Sequence, residues 1–186
     1  MTALRNVGIC LALVLLLGCA VPEEPLTHND PSRYALAANV PWSAPEGFDL
    51  SMDIYTPRSG KASYPVLVIF HGGGWLINDK SIMDQAAKYL VSNGEYVVCN
   101  VDYRLLGDQG NSVTLNEIVN DAFGAVLWVK DNIASYGGDP DRVALTGDSA
   151  GAHLAAAVVN LGPNLSSNGY SQSNLAFQPS YLPEGI

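Results

Sequence analysis

Two glycine-rich runs carry the residues best suited to chemistry. The second, Gly147-Asp148-Ser149-Ala150-Gly151, follows the apolar stretch Val143–Thr146 and precedes a run of helical spacing. A serine between two glycines at a strand-to-helix junction is the G-x-S-x-G nucleophile elbow in its required context. The chain reverses so sharply there that side chains at Gly147 and Gly151 would meet neighbouring backbone. The turn exposes the Ser149 hydroxyl at a helix N-terminus, where the Ala150 amide and the positive helix end can stabilise negative charge. The first run, His71-Gly72-Gly73-Gly74-Trp75, directly follows the apolar Val66–Phe70. Residues without side chains let backbone amides point inward and approach a ligand closely. An oxyanion needs such donors about 3 Å away, and losing one typically costs roughly 3 kcal/mol of barrier.

These runs stand where open α/β sheets place their sites, at the ends of buried strands. Val66–Phe70 is a continuous apolar run, as expected of a strand covered on both faces, and Tyr96–Val101, apolar but for Asn100, repeats the pattern. Phe48, Leu50, Met52 and Ile54 alternate with polar residues, which predicts a half-exposed strand at a sheet edge. Helices are expected from a Ser81 cap to about Val91, over 114–135, and from Ser149 to about Asn160. The alternation of strand and helix predicts an α/β fold, with a mostly parallel sheet and helices on both faces.

Composition narrows the function classes. The chain has 186 residues, 48% hydrophobic and 15% charged, with a formal net charge of −9. That excess of acid disfavours a nucleic-acid-binding face. Three cysteines cannot make a disulfide scaffold, and neither CxxC nor HExxH spacing occurs, so no metal site is expected. Cys99, inside YVVCNV, reads as a core residue. HGGGW is not GxxxxGK[ST], and no GxGxxG opens a helix, so neither nucleotide phosphate nor dinucleotide binding is expected. No cofactor is implied.

Residues 1–18 read as an export signal: a positive start at Arg5, then VGICLALVLLL, too short to span a bilayer of about 30 Å. Leu16-Leu17-Gly18-Cys19 resembles the bacterial lipobox, which implies acylation of Cys19 and an exported, lipid-anchored protein in the outer membrane or on the periplasmic face. Ala20, being non-acidic, resembles the outer-membrane sorting pattern. Residues 19–44, rich in proline, read as a tether and lead-in loop before a domain at 45–186.

HGGGW, VDYRL (Val101–Leu105) and YGGDPDRVALTGDSAGAHLAA (Tyr136–Ala156) together resemble the α/β-hydrolase superfamily, in particular the hormone-sensitive-lipase-like and carboxylesterase group with bacterial feruloyl and acetylxylan esterases. The resemblance covers roughly residues 45–161. It implies hydrolysis of carboxylic esters through an acyl-enzyme, with Ser149 as nucleophile and the amides of Gly73, Gly74 and Ala150 as oxyanion hole. It implies structural roles for His71, which would orient the glycine loop, and for Asp102 and Arg104. The substrates implied are small-molecule esters or acyl groups on plant polysaccharide.

A serine needs a general base, and in this superfamily the acid and then the histidine follow the nucleophile. Beyond Ser149 the chain offers one acid, Glu184, and one histidine, His153. Glu184 lies in a Pro-Gly tail, and His153, four residues along the helix, is expected to pack on its face. The triad acid and histidine are therefore read as absent and the chain as the N-terminal portion of an esterase, inactive alone and exposing an apolar sheet edge. Two other readings stay open: a non-catalytic surface lipoprotein using the fold as a binding module, and an amidase or peptidase on the same fold.

Overall fold

The computed structural model describes residues 30–166 together with 180 and 181. The export signal, Cys19, Glu184 and most of the segment after 166 lie outside the described residues. Five strands form one sheet: β1 Tyr34–Ser43, β2 Leu50–Pro57, β3 Tyr64–Phe70, β4 Val97–Val101 and β5 Gly138–Gly147. Their order is β1-β2-β4-β3-β5. β4, β3 and β5 run parallel, while β1 and β2 add an antiparallel wing.

Side-chain alternation divides the core between the two faces of the sheet. Leu50, Met52, Ile54, Val66, Val68, Phe70, Val97, Cys99 and Val101 join the larger cluster, with Ile118, Phe123 and Val129 of helix α3 (Leu115–Asn132) and Leu154 of α4 (Ala150–Ser166). Tyr34, Tyr55, Ile69 and Val98 face the other way and pack with Ala87 and Val91 of α1 (Asp84–Gly94). All five residues of β4 are buried; the one polar residue among them, Asn100, donates its side-chain amide to Lys80 O at 2.8 Å. Cys99 is fully buried, and that burial pushes its thiol far above the usual range.

Four expectations change. β2 is not the edge, because β1 lies outside it; residues 34–43, read as tether, are that outer strand. β1 is hard to read because its register shifts between Ala37 and Val40 and again between Pro41 and Ser43. Pro41 is tolerated there because edge strands need not donate on both sides. Ser81 does not cap the first helix: Asp79, whose carboxylate accepts the Ser81 amide at 2.8 Å, caps a 3-10 turn over Lys80–Met83 that precedes α1. α3 opens on a capping box, Thr114 with Glu117, and yields to a 3-10 turn at Ile133–Tyr136. α4 runs beyond Asn160 to Ser166.

Two further features complete the described residues. A one-turn helix, α2, spans Asp108–Asn111. Ser180 and Tyr181 lie across α3: the Ser180 amide donates to Asn120 O at 3.2 Å, and the Tyr181 hydroxyl donates to Asp131 at 2.6 Å. β5 pairs only with β3 among the described residues. An open groove of about 400 Å³, lined by Leu145, Ala152, Ala155 and Val159, follows its outer side.

Candidate active site

The site is built where β3 and β5 end side by side. Their parallel register sets Phe70 opposite Gly147, so the chain leaves both strands at the same level. After β5 it turns through Asp148 and Ser149 into α4. Ser149 adopts φ 47°, a left-handed conformation that non-glycine residues seldom hold without functional cause. Its hydroxyl is exposed. Gly147 and Gly151 are required by close backbone contact. A Cβ at Gly147 would stand 2.5 Å from Phe70 O, and one at Gly151 would stand 2.0 Å from the same oxygen.

The glycine turn follows β3. Gly73 (φ 128°), Gly74 (φ 62°) and Trp75 (φ 63°) all take positive φ, and the amides of Leu76 and Ile77 close the loop onto Gly73 O at 3.1 and 3.2 Å. The Gly72 amide donates to Asp148 Oδ1 at 2.6 Å, which removes it from any ligand. Among the described residues the amides of Gly73, Gly74 and Ala150 donate to no acceptor.

His71 is 1% exposed. Its ring stacks on Tyr103 with centroids 4.2 Å apart and planes 10° from parallel, and its Nδ1 lies 2.8 Å from Gly72 O. The Tyr103 hydroxyl donates to the His71 carbonyl at 2.5 Å. Burial, with the fields of Asp148 and Asp102, raises the Tyr103 phenol well above its usual value and keeps it a neutral donor.

Beneath this lie two charged networks. Asp102 accepts the Lys80 amide at 2.7 Å and the Lys80 ammonium at 2.9 Å. That ammonium also donates to Asn39 at 2.9 Å and to Ser51 at 3.2 Å. Burial works against the Lys80 charge, but Asp102 outweighs it and holds the ammonium above the usual lysine value. Arg104 donates from Nε and Nη2 to the fully buried Asp121, both at 2.9 Å. The Arg104 amide adds a third bond to Asp121 at 3.0 Å, and the Ser180 hydroxyl a fourth. Asp102 and Arg104 thus hold the loop after β4, which carries Tyr103.

His153 is not brought to the Ser149 hydroxyl by any hydrogen bond; its exposed ring meets Trp75 edge-on at 5.2 Å. Among the described residues no group of three or more His, Cys, Asp or Glu could hold a metal. Sequence reasoning missed Asp148, Tyr103, Lys80 and Asp121 as supports of the site. Asp121 left a signal, since it stands three residues after Ile118 and one before Ala122, on the apolar stripe of α3.

The BD-FAE family pattern matches residues 52–176. "Carboxylesterase NlhH" of Mycobacterium tuberculosis is 34% identical over 113 residues, which cover 61% of this chain and 34% of that protein. A hyperthermophilic esterase from the archaeon Pyrobaculum calidifontis superposes with TM-score 0.61 at 30% identity, over 70% of this chain and 41% of its own. A bacterial heroin esterase superposes with TM-score 0.64 at 28% identity, over 75% of this chain and 43% of its own. The chain therefore spans between a third and a half of the length of these relatives. Both glycine-rich turns and the strands that carry them fall inside the matched stretch, and the chain belongs to the BD-FAE family, with the α/β-hydrolase fold.

Proposed function

We propose that this protein hydrolyses carboxylic esters through an acyl-enzyme formed on Ser149. The observation that carries the reading is the exposed left-handed Ser149 beside the unengaged amides of Gly73, Gly74 and Ala150. In the reaction Ser149 Oγ attacks the ester carbonyl carbon, and the oxyanion draws on those three amides. The C–O bond breaks, the alcohol leaves with a proton, and water then cleaves the acyl-serine. The proton of Ser149 goes to a histidine held by a carboxylate, a pair the described residues do not contain. His71 and Tyr103 keep the glycine turn in place and take no part in proton transfer.

The ester-hydrolase names of the relatives support small-molecule esters as substrates; acyl groups on plant polysaccharide extend the same chemistry to a polymer. The lipobox-like Leu16–Cys19 supports export and anchoring through Cys19. Loss of palmitate incorporation in Cys19→Ala tests that anchoring.

The function is tested on the full-length protein, in which a histidine and a carboxylate complete the site, by treating it with a fluorophosphonate and with p-nitrophenyl acetate, alongside Ser149→Ala. A phosphonyl mass on Ser149, with hydrolysis reduced about a thousandfold or more in the variant, supports the reading. A folded protein that gains no adduct at Ser149 overturns it in favour of a binding module.

A further inference from the structure

At the opposite end of the sheet from Ser149, the start of β1 and the end of β2 bring two arginines together. Tyr34 pairs with Pro57, and just beyond that pair the Arg58 amide donates to Arg33 O, at the end of the 3-10 turn Pro31–Arg33, at 2.8 Å. Neither guanidinium forms an ion pair among the described residues. Both line a groove of about 240 Å³ with Ser32, Ser59, Ser92 and Glu95. Glu95, the one carboxylate in that lining, pairs with Lys61 and also feels the field of Arg33, so the lining sets two arginines beside one shared carboxylate in a chain whose formal net charge is −9. Its wall also holds a buried hydroxyl: Ser92 is 4% exposed, and its Oγ has no partner among the described residues.

We propose that this groove binds a phosphate group, either free or as an anionic lipid headgroup, between the guanidiniums of Arg33 and Arg58. Planar guanidinium forks match phosphate oxygens pairwise. A bound anion pairs with two guanidiniums that form no ion pair among the described residues. Arg33 stands 14 residues (33 − 19) after Cys19; the headgroup source rests on the lipid anchoring proposed above, whereas the groove itself is independent of the chemistry at Ser149.

The full chain is titrated with inorganic phosphate by calorimetry and sedimented with phosphatidylglycerol and with phosphatidylcholine vesicles. The double variant Arg33→Gln/Arg58→Gln is compared with Arg142→Gln, which removes an exposed arginine held by Asp139 elsewhere. The double variant is expected to bind about tenfold more weakly and Arg142→Gln to bind as the parent does. A loss seen in the phosphate titration identifies a free-phosphate site. A loss confined to the preference for phosphatidylglycerol over phosphatidylcholine identifies a headgroup site. Equal binding by parent and double variant in both assays overturns the proposal, as does an equal loss in Arg142→Gln, which would report net charge alone.

Discussion

The Asp148 carboxylate accepts the Gly72 amide at 2.6 Å, joining the nucleophile turn to the glycine turn through the residue that immediately precedes Ser149. A Cβ on Gly72 would stand 2.3 Å from Asp148 Oδ2, so the contact is as tight as the backbone allows. The two halves of the site are thereby held at one spacing. Asp148→Ala is expected to speed amide exchange across residues 71–74 and to slow phosphonylation of Ser149 about tenfold. Asp148→Asn, which keeps an acceptor oxygen, restores part of both. Hydrogen-exchange mass spectrometry and timed labelling read the two effects.

The glycines of the site divide by mechanism. At Gly151 a methyl group meets the backbone of Phe70 and His71, at 2.0 and 2.7 Å from their oxygens. At Gly74 nothing lies within 4 Å, and only the φ of +62° opposes a side chain. Gly74→Ala should therefore cost about 1 kcal/mol from backbone strain, while Gly151→Ala should cost about 3 kcal/mol or more through overpacking. Urea unfolding of the two variants measures the difference, and equal losses would contradict it.

Arg104 and Asp121 are 3% and 0% exposed and share a bidentate contact. Removing Asp121 leaves the buried Arg104 with only its longer contact to Glu117, at 3.6 Å, so Asp121→Ala is expected to lose about 3 kcal/mol. The double replacement Arg104→Met/Asp121→Leu should recover a large part of that loss, because two desolvation costs disappear together. A double-mutant cycle in urea supplies the numbers.

Several carboxylates make the fold sensitive to acid. Hydrogen bonds from Thr114 hold the Glu117 carboxyl below its usual range, and those from Ser81 do the same for Asp79. A depressed carboxyl stabilises the folded chain above its unfolded pKa, about 4, and that contribution fades as pH falls through the lower folded value. Tm should fall between about pH 5 and pH 3, and Glu117→Gln should flatten the profile while lowering Tm at neutral pH. Thermal unfolding across that range checks both signs.

The central strands were legible because their burial on both faces leaves a nearly unbroken apolar run: Val66, Val68, Ile69 and Phe70 in β3, and every residue of β4 but Asn100. α3 was legible because Ile118, Ala122, Val126 and Val129 recur at helical spacing and are buried. β1 was not. Its pairing with β2 is interrupted twice, and Asn39 at φ 52° breaks the alternation. Ser81 looked like the cap of α1, yet it lies inside a 3-10 turn that Asp79 caps, and α1 follows that turn with no side-chain cap of its own. Caps depend on which oxygen reaches the amide, and serine and aspartate signal equally well in sequence.

The sequence by itself determined the local chemistry: a serine placed between two glycines after a strand, three glycines after another, and the periodicities of the elements that carry them. These are properties of neighbouring residues, and steric exclusion around a backbone turn acts at that range. Only the tertiary structure decided that Phe70 stands beside Gly147, that Asp148 closes on Gly72, and that Tyr103 carries the His71 carbonyl. Only there do Arg33 and Arg58 line one groove. Each of these contacts joins residues at least 25 positions apart, so its geometry exists only once the sheet register has set the strand ends side by side.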